Sequence, residues 1–524
     1  MWRVGCKTRI TGCRIGKRHY IDKYCATEHS RNQEFYSQYQ SFVEDKEKAY
    51  IVLLYLINPY NPLVSIVKSK LNRWNNYTVW KPLGLLVVAG LTPPDWEIVV
   101  FDENVDRQDY SALPSPNLVG ITAFTSQADR AYTIAGEFRR RGVPVVMGGI
   151  HATMCAEEVS RYVDSLVTGE AESVWENVLN DTIQGALLPV YSGQQTNLSK
   201  TPIPRHDLLA HGYRFGSIQT TRGCPLSCNF CSVTAFNGRH YRHRPIPKII
   251  DEYRMIRERL VLLVDDNLIG TRKEHISRTK DLLRAIIASG IQKKWIAQVT
   301  LNFGDDEELL RLASEAGCIG VFVGFETIST EGLKEIHKPF NIRKLKGIKT
   351  AVGRIHRYGI SVVGSFIIGL DIDKKHIGRE IASTAKHYGL DAINVLFLTP
   401  LPGTRLWDEM ESSNRIILKD FPRDWRYYTL TFPVARYGHL SWLEMIEEKD
   451  ACFRGFYSYG GILRRTWEMI RQLHNPALTV VCNLWYRRNT LRLDRQAYET
   501  FDVKPGEVPL QKGWMENDSD TRGK

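Results

Sequence analysis

Beyond a basic, polar leader over residues 1–49, apolar runs of strand length alternate with helix-like stretches from residue 50 to 186. Tyr50–Asn58 (YIVLLYLIN), Val119–Ala123 (VGITA) and Val143–Met147 (VPVVM) read as strands buried on both faces, each ending in small or turn residues before a helical pattern. The alternation predicts an α/β domain of doubly wound, Rossmann-like type. Ligands of such sheets bind beyond the carboxyl ends of the strands, so residues 58–61, 122–126 and 148–151 form a first candidate site.

Periodicity fades over residues 187–214, where Pro189, Gly193, Pro202 and Pro204 punctuate a linker. A second alternating region spans 215–430. Six strand candidates, Ser217–Thr221, Val261–Asp265, Ile296–Leu301, Gly320–Phe325, Ser361–Ile368 and Ala392–Leu398, are separated by helix-like stretches at Pro247–Arg259, His275–Ile287, Asp306–Ala316, Ile342–Arg357 and Lys374–His387. Repeated βα units of this kind predict a partial (β/α)6 barrel whose chemistry gathers at the C-terminal mouth, by analogy with the full barrel. Residues 431–524, rich in aromatics and Arg, form a mainly helical C-terminal region without a repeat.

Length and composition agree with that division. The 524 residues suit about three domains, and 43% apolar with 24% charged residues excludes disordered, collagen-like and coiled-coil chains. No run approaches the roughly 18–20 apolar residues of a spanning helix; the longest, Ile51–Ile57 and Gly84–Leu91, fit strands or short buried helices. The leader is basic but lacks the apolar segment of a secretory signal, so a cytoplasmic chain is expected. The net charge of +12 leaves nucleic acid, an anionic membrane surface and phosphorylated substrates open as partners.

Ten cysteines narrow the chemistry further, because three fall within eight residues: Cys224, Cys228 and Cys231, in Thr221-Arg222-Gly223-Cys224-Pro225-Leu226-Ser227-Cys228-Asn229-Phe230-Cys231. The cluster follows the first barrel strand directly. In a large intracellular chain such spacing favours metal or cluster ligation over disulfides. Three local thiols leave one iron of a [4Fe–4S] cluster for another ligand. The alternatives are a zinc site completed by His240 and His243, for which no paired second half exists, or three incidental thiols.

This Cx3Cx2C, with an aromatic residue before its last Cys, resembles the radical S-adenosylmethionine (SAM) superfamily over about residues 215–430. The resemblance implies that Cys224, Cys228 and Cys231 hold three irons while SAM chelates the fourth, and that electron transfer from the cluster cleaves SAM to methionine and a 5′-deoxyadenosyl radical. Phe230 would then lie near the adenine. Asp265 and Asp266 would meet the SAM amine, Glu326 its ribose, and Gly364 and Gly369 the adenine. Thr399-Pro400-Leu401-Pro402-Gly403-Thr404 is similar to a sequence recurrent in cobalamin-associated members. Each residue also has a structural reading: a helix cap for Asp265 and Asp266, an Arg partner for Glu326, and close packing for the two glycines.

In the first domain, Gly148-Gly149-Ile150-His151-Ala152 and Val167-Thr168-Gly169-Glu170-Ala171-Glu172 resemble the cobalamin-binding domain that precedes many radical SAM modules. Thr122, Gly148, Gly149, Gly169 and Glu170 are its implied cofactor residues, the paired glycines admitting a flat ligand close to the backbone. One departure matters. The family's Asp-x-His-x-x-Gly is replaced by Asn58-Pro59-Tyr60-Asn61-Pro62-Leu63, which offers no histidine to ligate cobalt from below. His151 is read as a loop-structuring residue, Cys155 as an incidental thiol, and Cys6, Cys13 and Cys25 as matching no second cluster.

The positive charge concentrates in the leader and between Phe453 and Arg492, where Arg454, Arg464, Arg465, Arg471, Arg487, Arg488 and Arg492 face only Glu468 and interleave with aromatics. A solvated face over core aromatics leads, followed by peripheral contact with anionic lipid and, last, nucleic acid. The expected function is therefore a radical SAM enzyme containing a [4Fe–4S] cluster, SAM and cobalamin. It would abstract hydrogen from an unactivated carbon of a small-molecule or lipid substrate and methylate it, with flavodoxin or ferredoxin as reductant. The alternative is a radical SAM oxidoreductase, cyclase or C–C coupling enzyme, with or without cobalamin. A cluster-containing sensor that does not consume SAM ranks last.

Overall fold

The computed structural model describes residues 52–62, 81–471, 477–500 and 503; the leader with its three cysteines lies outside them. Six strands build the first sheet: β1 (Val52–Asn58), β2 (Trp96–Asp102), β3 (Leu118–Thr122), β4 (Val145–Gly148), β5 (Ser165–Thr168) and β6 (Val190–Ser192). Their order is β2-β1-β3-β4-β5-β6, with β1, β3, β4, β5 and β6 parallel. Alternate residues of β1 are covered by different layers: Tyr55 meets Phe138 of the helix Ala128–Arg140, whereas Leu56 and Gly120 lie beneath Trp175 of the helix Trp175–Gln184. This is why the strand reads as a continuous apolar run, and it is the doubly wound arrangement expected. The order reverses between β1 and β3, so the ligand crevice opens at residues 58–62 and 122–127.

Three strands went unread in the sequence. β2 is a half-buried edge strand, β5 has four residues, and β6 falls within the stretch expected to be an irregular linker. Edge and very short strands carry too few core-facing positions to produce a periodic signal.

The second sheet matches all six expected strands: β7 (Gly216–Ile218), β10 (Leu260–Leu263), β11 (Lys294–Val299), β12 (Cys318–Glu326), β13 (Ser361–Ile368) and β14 (Ala392–Phe397) pair in chain order, all parallel. Between β7 and β10 lies an antiparallel ribbon of β8 (Thr221–Arg222) and β9 (Arg242–His243), which brackets the cysteines.

The C-terminal region closes the edge of this sheet. The helix Trp442–Phe456 lies along Ile377–Tyr388 so closely that a Cβ on Gly378 would stand 1.9 Å from the Glu448 carbonyl oxygen. The Tyr457 hydroxyl accepts from the Ile393 N–H at 2.9 Å and donates to its carbonyl at 3.0 Å, satisfying groups that edge strand β14 would otherwise expose. Helices Tyr459–Arg471 and Ala477–Thr500 follow. No helix among the described residues is long and apolar enough to cross a membrane.

Candidate functional site

The cysteine loop is shaped before any metal arrives. Gly223 has φ +89°, and a Cβ there would stand 2.2 Å from the His240 carbonyl oxygen, so a side chain cannot replace it without moving the ribbon. Asn229 is buried and pins the loop to the helix Arg405–Ser412, donating to the Glu409 carboxylate at 3.1 Å while its backbone carbonyl accepts from the Leu406 N–H at 3.0 Å. Backbone N–H groups point at the sulfurs, from Leu226 at Cys224 and from Val233 and Thr234 at Cys231; the Asn267 side chain also reaches Cys224. Without a metal, burial pushes the Cys228 thiol up to about 12 and the Cys231 thiol up to about 11. N–H groups aimed at sulfur suit thiolates, the form in which cysteine binds iron. The donor set therefore fits a cluster bound by three local cysteines.

No three His, Cys, Asp or Glu side chains among the described residues gather at single-ion spacing; a cluster, binding one thiolate at each of three irons, holds its sulfurs further apart. His240 and His243 are exposed and do not join the thiols.

The two aspartates brace the cysteine loop. Asp265 is fully buried, accepting from the Thr220 N–H at 2.6 Å and the Thr220 hydroxyl at 2.9 Å as well as from the Thr221 N–H, and burial pushes its carboxyl up to about 6. Asp266 accepts from the Gly223 N–H at 2.9 Å and from Asn237 at 3.0 Å. Neither caps a helix, since the next one begins at Lys273 with Arg272 before it.

Glu326 ends β12 beside the thiols, with φ +67° at a bulge in the ladder to β13. Side-chain-bearing residues rarely hold that conformation unless their surroundings enforce it. The enforcing residue is Lys338, buried, whose Nζ lies 2.6 Å from Glu326 Oε1 and donates to the Gly324 carbonyl at 3.0 Å. Asn341 adds bonds to the Gly324 and Phe325 carbonyls. Lys338 stands close enough to Cys228 and Cys231 for its charge to be felt by both. The sequence reading missed this lysine, because its pairing with Glu326 crosses an intervening helix and leaves no spacing pattern.

Both barrel glycines are tightly packed. A Cβ on Gly364 would stand 2.5 Å from Leu390 and 3.1 Å from Phe366; one on Gly369, at φ +111°, would stand 2.8 Å from Met445 and 2.9 Å from Tyr437. Phe230 is half-buried between Asn229 and Cys231 and packs on the core.

In the first domain, Gly149 and Gly169 likewise answer to protein packing: with φ of +89° and +69°, their added Cβ atoms would stand 2.5 Å from the Thr122 hydroxyl and 2.3 Å from the Gly193 carbonyl. Thr122 and Gly148 remain half-buried at the strand ends, where Phe124 is 63% exposed, an apolar ring open at the mouth of the crevice. His151 is fully buried, 2.9 Å from the Tyr132 hydroxyl, which in turn donates to Glu158 at 2.6 Å. Across the crevice, Asn61 bonds Asn104 and Ser126, and Gln127 bonds the Pro59 carbonyl. This floor fits a corrinoid that takes no imidazole from the described residues.

Glu170 ties the first domain to the barrel. Arg242 donates to both its oxygens, Arg222 lies 3.5 Å away, and the Thr196 N–H and hydroxyl donate at 2.7 and 2.8 Å. Burial opposes its charge, but these partners outweigh it and hold the carboxyl down at about 2 from the ordinary 4.5. A depressed carboxyl stabilises the fold above its ordinary pKa and loses that contribution as pH falls toward the depressed value. Glu170→Gln should thus melt below the parent at pH 7, and the gap should narrow as pH falls from 4.5 toward 2; melting curves across pH check this.

The same interface brings the candidate sites together. The helix Gly149–Met154 lies against Ser232–Asn237, which directly follows Cys231, and Gly403 abuts the Met154 sulfur closely enough that a Cβ would stand 2.3 Å from it. Trp425 bridges from the other side, donating to the two Glu158 oxygens at 2.9 and 3.0 Å.

Comparison with known proteins agrees with this two-part site. The radical SAM superfamily description matches residues 218–404 and the B12 binding domain residues 73–179. The bacteriochlorophyllide d C-12(1)-methyltransferase of Chlorobaculum tepidum is 28% identical over 73% of this chain and 84% of its own length. The hopanoid C-2 methylase of Rhodopseudomonas palustris is 29% identical over 65% of this chain and 66% of its own. The anaerobic magnesium-protoporphyrin IX monomethyl ester cyclase of Rubrivivax gelatinosus is 25% identical over 72% and 74%. Among solved structures, the cobalamin-dependent radical enzyme OxsB with aqua-cobalamin and SAM superposes with TM-score 0.61 at 13% identity, covering 90% of this chain and 75% of that one. The radical SAM methyltransferase TsrM of Kitasatospora setae, with tryptophan and a SAM analogue, gives 0.59 at 19%, covering 76% and 89%.

Proposed function

Because this chain is a radical SAM protein that carries a B12-binding domain, we propose that it is a cobalamin-dependent methyltransferase acting on an unactivated carbon of a small molecule. The observation that carries this reading is the packing of the Gly149–Met154 helix on the helix that follows Cys231, which sets the two candidate cofactor sites against each other. When bound, the cluster supplies one electron for SAM cleavage and cobalamin supplies a transferable methyl group.

The protein's residues act by holding and orienting. Cys224, Cys228 and Cys231 are the cluster ligands, kept in place by Asn229, Asn267 and the N–H groups around the loop. Lys338 fixes the Glu326 carboxylate toward the SAM side of the mouth, and Phe230 walls it. Thr122, Gly148 and Phe124 would line the cobalamin side. Glu170, Arg242, Trp425 and Glu158 hold the domains in register and keep water out of the seam. An external donor such as flavodoxin or ferredoxin provides the electron.

A second reading, radical cyclisation or oxidation without methyl transfer, is favoured by the cyclase relatives alone. Methyl-deuterated SAM separates the two when the reduced, cobalamin-loaded chain is offered candidate substrates. Deuterated methyl in the product supports methyl transfer; 5′-deoxyadenosine with an unlabelled, altered product supports the rival.

A further inference from the structure

The helix Tyr459–Arg471 is apolar on two sides, and only one is required by the fold. Its inner side buries Ile462 and carries Arg465, whose guanidinium lies 4.1 Å over the Phe456 ring and donates to Asn483 of the following helix. Its outer side presents Tyr459, Leu463, Trp467 and Ile470, exposed by 64, 69, 62 and 47%. Steps of four, four and three residues align these side chains in one stripe. The next helix adds exposed Val481 and Leu484 and, on the same side by spacing, exposed Arg488 and Arg492. Arg487 ties the two helices together, lying 3.8 Å over the Tyr459 ring and donating to the Tyr457 carbonyl at 2.8 Å. Arg464 flanks the stripe, 74% exposed at its side chain and paired with Glu468.

A core-packed helix ordinarily turns charged residues to water; a line of Trp, Tyr, Leu and Ile there marks a surface that meets something apolar. The charge beside it identifies what. Arg488 and Arg492 make no ion pair with a described residue, and from Phe453 to Arg492 the sequence holds seven Arg against one Glu. Two copies of the face related by a two-fold axis would bring these arginines together, which disfavours self-association. An aromatic and aliphatic stripe edged by arginine matches the boundary between acyl chains and phosphate headgroups.

We propose that this face docks the protein on an anionic lipid bilayer: Tyr459, Leu463, Trp467 and Ile470 insert shallowly, and Arg464, Arg488 and Arg492 meet lipid phosphates. The contact is interfacial, and it is independent of the reaction proposed above. The test is flotation of the full chain, purified anaerobically, with vesicles of phosphatidylcholine alone or mixed with phosphatidylglycerol. The chain should float with the anionic vesicles, and about tenfold less with phosphatidylcholine or in high salt. Leu463→Glu with Trp467→Glu should abolish flotation, and Arg488→Glu with Arg492→Glu should reduce it to the phosphatidylcholine level, both with parental melting temperature and cluster absorbance. If the first pair fails to fold, Leu463→Ser with Trp467→Ser carries the same test. Absence of flotation, equal flotation on both vesicles, or parental flotation by the Leu463/Trp467 variants overturns the proposal. So does a solution dimer that those variants split, which assigns the face to a second copy, or flotation only after residues 1–49 or 504–524 are deleted, which assigns it to the chain itself.

Discussion

Cys228→Ala should bring cluster content and SAM cleavage to background while leaving the fold intact. The residue lies in a loop whose shape is set by others: Gly223 by its left-handed backbone, Asn229 by its bonds to Glu409 and Leu406, and Asp266 by its bond to Gly223. Removing one thiol leaves these supports in place, so the melting temperature of the metal-free chain should move little. Among the described residues, His240 and His243 are exposed and do not join the thiols, while Cys318 and Cys452 are buried in the core. Iron and sulfide analysis, absorbance and 5′-deoxyadenosine assay after anaerobic reconstitution check this. Cleavage at the parental rate would remove the assignment of the three cysteines.

Lys338→Met should destabilise the chain by about 3–5 kcal/mol, the usual cost of breaking a buried ion pair from one side. The lysine and Glu326 side chains are only 6% and 11% exposed, and the strained Glu326 backbone depends on the lysine's further bond to Gly324. Methionine fills the volume but leaves a buried carboxylate with its main partner gone. The compensating double variant, Lys338→Met with Glu326→Gln, should recover much of the loss, since it removes the unpaired charge. Denaturant unfolding of parent, both single variants and the double variant measures the coupling. Additive single effects would mean that the pair does not act as a unit. The same lysine variant should also weaken SAM binding, measured by titration, because Glu326 would lose its fixed orientation.

What the sequence disclosed about this molecule was what is local in the chain. Three thiols within one loop, and strands buried on both faces, leave their signature in consecutive residues, so the cluster loop and all six barrel strands could be placed without a structure. Glycines say only that something comes close. At Gly364 it is Leu390 and Phe366, at Gly369 Met445 and Tyr437, and at Gly169 the backbone of Gly193. Long-range pairings leave no mark at all. The ion pairs of Glu170 with Arg222 and Arg242 are of this kind, since both arginines lie more than fifty residues further on, in a ribbon too short to show periodicity. Lys338 and Asn229 were missed for the same reason. Of the two places where positive charge concentrates, the described one carries an exposed apolar stripe beside its arginines.

Cofactor content per chain tests the central claim most directly. The full chain, purified without oxygen from cells supplied with cobalamin, should carry about four iron and four sulfide together with one equivalent of corrinoid. The Cys228→Ala variant should lose the iron and sulfide but keep the corrinoid, because the two sites use different residues. A parent chain with the cluster but no corrinoid would contradict cobalamin-dependent methylation, and one without iron would contradict the radical SAM assignment itself.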